Sequence, residues 1–212
     1  MKQLPIVCTI AALAAIAAPD ARAQVPVFGN FAVATSTLGQ GHNISATNIV
    51  SVRFLTGSSA LQVTSLQAAM SRFNFTQAAF DLFTNSSGNP GSFIATFGTV
   101  NIPGNGEYTF TPSSPILLNA NTVYHIRPRA VTSTPFWFNT DTPTTPSAQN
   151  GSGIVFQAYR FTNNGGATWG NTSSTGRFRL NAIVVPEAGT LALVGAGCLV
   201  SGVGVIRRRR AA

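Results

Sequence analysis

Between Gln24 and Val185 the chain carries no cysteine and no lysine; Cys8 and Cys198 lie outside that stretch. A disulfide framework and a thiolate metal site are therefore excluded there, and the segment must hold itself together by core packing alone. Charge is scarce as well, at 8% of the whole chain. The middle has seven arginines against three acids, Asp81, Glu107 and Asp141, which are far apart in sequence. Calcium sites gather several carboxylates, and nothing here does. A glycosidase needs a matched carboxylate pair, and nothing selects one. The two histidines, His42 and His125, form no short ligand spacing of the kind zinc requires. His125 reads as a half-buried or surface residue of an alternating strand. Phosphate-binding loops, dinucleotide fingerprints and G-x-S-x-G elbows are missing. These absences predict no enzyme, no cofactor and no metal.

The net charge of +8 and the pI near 11.1 invite a nucleic-acid reading, but four of the thirteen basic residues are the terminal run Arg207, Arg208, Arg209 and Arg210. The middle shows no basic stripe in sequence, so no nucleic-acid partner is expected. The pairs Arg127/Arg129 and Arg177/Arg179 would each share a strand face and read as polar surface.

What is present is alternation broken by turn residues. Ile49–Leu55, Glu107–Phe110, Thr122–Ile126, Gly153–Tyr159 and Arg177–Val184 alternate with period two. Gly/Asn/Ser/Pro clusters separate them, the longest being Asn85 to Gly91, which composition marks as a surface loop. Leu66 to Ala69 is ambiguous by pattern, and its neighbours favour a strand. Short strands every 10 to 15 residues predict an all-β, antiparallel, jelly-roll-like β-sandwich. Trp137, inside Phe136-Trp137-Phe138, and Trp169, after a Gly-rich loop, are the candidate ligand-binding residues, as aromatics that stack on sugar rings. The competing reading puts Phe136 and Phe138 in the core with Trp137 on the other side.

Both ends differ from this middle. Residues 1–23 combine Lys2, an apolar run from Leu4 to Ala18, and Ala21-Arg22-Ala23 before Gln24. That is the layout of a secretory signal peptide, so signal peptidase is an expected partner. At the other end, residues 189–206 are uncharged and would span about 27 Å as a transmembrane helix. The arginines behind it would stay cytoplasmic under the positive-inside rule. The expected organisation is a signal peptide at 1–23, a sandwich at 24–185 and a membrane tail at 186–212.

Two resemblances accompany these readings. The order SVRFLTGSSALQVTSLQAAM, AAFDLFTNSSGNPGSFIATF, YTFTPSSPILLNANTVYHIRPR and RFRLNAIVV resembles the choice-anchor surface domains, most closely the R type, over most of residues 48–185. That resemblance implies a β-sandwich displayed at the cell surface. The tail, with Pro186, Glu187, the apolar run and Arg207 to Arg210, resembles the PEP-CTERM sorting signal. It implies processing by an exosortase and delivery to the cell surface or an exopolysaccharide-containing matrix. Ala188 departs from that pattern, where the family usually has a second proline.

Overall fold

The computed structural model describes residues 24–31, 41–72, 76–132, 135–138, 145–173 and 176–185. The expected signal peptide and the tail, including Pro186, Glu187, the 189–206 run and Arg207 to Arg210, lie outside the described residues. Among the described residues the protein is all-β, with fourteen strands in two antiparallel sheets. No helix among them is long and apolar enough to cross a membrane.

The first sheet has eight strands and is organised by β4 (Leu61–Arg72). One edge of β4 pairs with β14 (Phe178–Val184) and then with β10 (Phe136–Phe138). The other edge pairs with β8 (Ile116–Leu118) and β7 (Gly106–Phe110). β1 (Val25–Gly29) and β11 (Ser147–Ala148) extend the sheet beyond β14, and β2 (His42–Ile44) extends it beyond β10. The second sheet runs β13 (Gly170–Asn171), β12 (Val155–Thr162), β3 (Ile49–Leu55), β9 (Val123–Ala130), β5 (Thr76–Ser86), β6 (Asn89–Ile102).

Alternation decides which face each strand buries. On β3 the core takes Val50, Val52 and Phe54; on β5 it takes Ala78, Phe80 and Leu82. Rings from the two sheets then meet between them. Phe28 of β1 lies 5.3 Å from Phe54 of β3. Phe80 of β5 meets Phe110 of β7 at 4.9 Å and Phe138 of β10 at 5.5 Å, both edge-to-face. Such contacts across the gap make the two sheets a sandwich with one shared core. Phe138 is fully buried there, as the alternation of Phe136-Trp137-Phe138 requires.

Two expectations are corrected. The stretch from Asn85 to Gly91 is not a long surface loop. β5 and β6 run through it and only Ser87-Gly88 turn, with φ of 51° and 85°. Positive φ at both central residues is the primed geometry that matches strand twist, so the polar composition encodes a tight hairpin. His125 is not at the surface either; it is 0% exposed.

Candidate functional site

The outer face of the six-stranded sheet collects residues that are far apart in sequence. Register places Arg53 beside His125, and His125 beside Phe83. One row along, Arg160 lies beside Ser51 and Arg127 beside Asp81. Arg129 follows next to Ala79. Four of the seven arginines of the middle thus share one face with one acid. The absence of a basic stripe in the linear sequence does not survive folding, because β3, β9 and β12 each contribute one or two cations to adjacent rows.

The tip of the β5–β6 hairpin covers the centre of this face. Asn89 Oδ1 accepts hydrogen bonds from Nε (3.2 Å) and Nη2 (2.6 Å) of Arg160 on β12. Strands β9 and β3 lie between β5 and β12, a separation of about 14 Å at ~4.8 Å per strand. The hairpin therefore folds across the sheet. Three register shifts, between Ala79 and Asp81, Leu82 and Phe83, and Phe83 and Asn85, supply the bend. A Cβ at Gly88 would sit 3.3 Å from Arg53 Nη1, so the turn passes directly over that guanidinium. Arg160 also donates Nη1 to Asn171 Oδ1 and Nη2 to the Trp169 carbonyl (3.2 Å), tying the Gly-rich loop to the same point.

Beneath the tip, His125 joins two strands. Ser51 Oγ and His125 Nδ1 are 3.1 Å apart, and His125 Nε2 and Asn85 Oδ1 are 3.1 Å apart. With Asn85 accepting, Nε2 carries the ring proton and Nδ1 accepts from the Ser51 hydroxyl. Burial pushes the imidazole pKa down to about 4, and the Arg53 and Arg160 charges push it the same way. A neutral histidine of such low basicity, bonded to a fully buried serine, is a poor general base at neutral pH. The trio locks β3, β9 and the hairpin together.

Beyond the tip, Arg129 clamps Asp81 through Nε (2.7 Å) and Nη2 (3.4 Å). That hydrogen-bonded carboxylate raises the Arg129 pKa. Arg127 has no such partner. Its guanidinium lies 4.2 Å over the Phe83 ring, and its Nε is buried without a hydrogen bond. Burial lowers its pKa, only partly offset by Asp81. Arg127 and Arg129 line a recess of about 320 Å³ with Ser45, Ala46, Ile49 and Gly165. A second, open cleft of about 610 Å³ is bounded by Thr84, Asn85, Leu117, Asn119 and Asn121.

The structure separates the two candidate tryptophans. Trp169 precedes β13 at the edge of the six-stranded sheet, partly exposed, near Gly166. Trp137 lies on β10 in the other sheet, in register with Asn43 and Ser71. They do not form one aromatic platform on one sheet. Among the described residues no cluster of three or more His, Cys, Asp or Glu is placed to hold a metal ion. The residues missed in sequence are Ser51, Arg53 and Arg160, and the sequence pattern places His125 on its strand but as half-buried or at the surface; their only signal is the outward phase in VSVRFL, VYHIR and AYRF. No known protein-family model matches the chain, and no curated protein matches it.

Proposed function

We propose that the chain is an exported protein of the cell surface or extracellular matrix, without enzymatic activity, whose β-sandwich is the displayed cargo of a PEP-CTERM-type tail. The observation that carries this reading is the tail's three-part order: Pro186-Glu187, the uncharged 189–206 run, then Arg207 to Arg210. Pro186 biases Val185 to extended backbone, the form in which a protease threads a substrate. An exosortase would process this segment after signal peptidase has removed 1–23, with the helix held in the inner membrane until then. The choice-anchor resemblance and a jelly-roll-like strand arrangement belong to the same proposal.

Support comes from where the tail departs. β14 is flanked on both sides, by β1 and β4, and Val185 N donates to Ala60 O at 2.9 Å. An anchor at this end would pull on an interior strand. The test is protease shaving of intact cells with and without the exosortase. Surface-accessible sandwich only when the enzyme is present is the expected outcome; equal accessibility in both strains would contradict the sorting role.

A second reading is a displayed carbohydrate-binding module. The 610 Å³ cleft favours it, because Asn119 and Asn121 line it with side-chain amides that make no hydrogen bond among the described residues, beside Leu117 at 57% exposure. Free amides beside an apolar surface suit a sugar's hydroxyls and its C–H face.

A further inference from the structure

The outer face of the six-stranded sheet holds four arginines and, among the described residues, one acid, and one of these cations faces an open recess. Asp81 is taken by Arg129, and Arg160 donates four hydrogen bonds to Asn89, Asn171 and the Trp169 carbonyl. Arg53 is closed under the hairpin turn at Gly88. Arg127 is different, since it faces an open recess. The Phe83 ring fixes the plane of its guanidinium from one side, and no hydrogen bond among the described residues uses its donors. Nε is fully buried, so an acceptor entering the recess would meet the Nη1 and Nη2 donors, which no hydrogen bond among the described residues uses.

We propose that this recess binds the carboxylate of an acidic sugar residue, with Arg127 as its bidentate partner and Arg129, held by Asp81, as the second wall. Three observations select this chemistry. With Arg129 already neutralised by Asp81, the recess has a net charge of one, which suits a monoanion better than a phosphate dianion. The planar fork of Arg127 matches the planar carboxylate in geometry as well as charge. At about 320 Å³ the recess holds a sugar-sized group, at the lower end of ligand pockets, roughly 300 to 1,000 Å³. β9, which lines the recess, also reaches the larger cleft through Val123 and Tyr124, where the Asn119 and Asn121 side-chain amides make no hydrogen bond among the described residues, and this favours a hydroxyl-rich ligand over an acidic peptide. The proposal names a ligand class for the carbohydrate reading and rests on the sandwich being exported to meet a glycan; the recess chemistry itself does not depend on the tail.

The test is calorimetric titration of the purified full chain, in mild detergent, with oligogalacturonate. Its neutral methyl ester, inorganic phosphate and oligoglutamate are titrated alongside. The acid form should bind about tenfold or more tightly than each of the others. Arg127→Gln should abolish that preference, and Arg127→Lys should weaken it by keeping charge without the fork. Arg179→Gln removes one positive charge from the other sheet and should leave binding unchanged. Circular dichroism checks that each variant folds, and the ester comparison on the unaltered chain stands even where a variant does not. Equal binding of acid and ester would overturn the proposal, as would equal loss in Arg127→Gln and Arg179→Gln, or phosphate or oligoglutamate binding as well as the uronate. Selective uronate binding by a protein that shaved cells never display would uphold the recess and overturn only the display reading.

Discussion

Acid should weaken this protein through one residue, His125. The ring is 0% exposed, bonded on both nitrogens to neutral partners, and set near Arg53 of β3 and Arg160 of β12. Arg127 on its own strand adds a further positive charge, and Asp81 on β5 is the one negative charge among the described residues of this face. Its pKa falls from 6.5 to about 4 on folding. The unfolded chain therefore binds the proton first, and stability is full above pH 6.5 and is lost as pH falls toward 4. At 1.36 kcal/mol per unit the loss is on the order of 2 to 3 kcal/mol, with a slope near 1 kcal/mol per pH unit around pH 5. Urea denaturation at pH 7, 6, 5 and 4 measures it, on the native protein and on His125→Gln. Acid effects common to both proteins cancel in the difference. The native protein should lose 2 to 3 kcal/mol more than the variant across this window. Parallel pH profiles would refute the reasoning and place His125 in contact with solvent or with an anion.

Two further substitutions probe the core and the hairpin. Phe80→Ala removes the ring that bridges the sheets to Phe110 and Phe138 and should cost about 3 to 5 kcal/mol by urea denaturation; a loss below ~1 kcal/mol would mean the sheets do not share that core. Asn89→Ala strips the acceptor from Arg160 Nε and Nη2 and should cost about 1 to 3 kcal/mol. It should also speed amide exchange at the Ser86–Asn89 tip, and unchanged exchange there would show that the hairpin does not depend on Arg160.

Much of the sandwich was legible because alternation is a local signal. Ile49–Leu55 coincides with β3, and the stretch ending at Val184 with β14. β4 was ambiguous for a physical reason. Its core positions run Leu61, Val63, Leu66, Ala68, Met70, and the three-residue step matches a register shift against Asn181 and Ala182. A bulge erases the period that identifies a strand. The outer-face cluster was illegible for another reason. Arg53, His125 and Arg160 meet only through strand order, which no local pattern encodes. The hairpin that buries them reads as a loop by composition, since Ser87-Gly88 is chosen for positive φ and says nothing of where the tip lands.

The central claim is that this sandwich is carried to the surface by a tail that is then removed. Mass spectrometry of the mature protein's C-terminus, from cells with and without the exosortase, tests it most directly. The account predicts a new terminus near Pro186-Glu187, without the 189–206 run and Arg207 to Arg210, only where the enzyme is present. Ala188→Pro should bring a larger fraction of chains to that terminus. A tail ending at Ala212 in both strains would contradict the account.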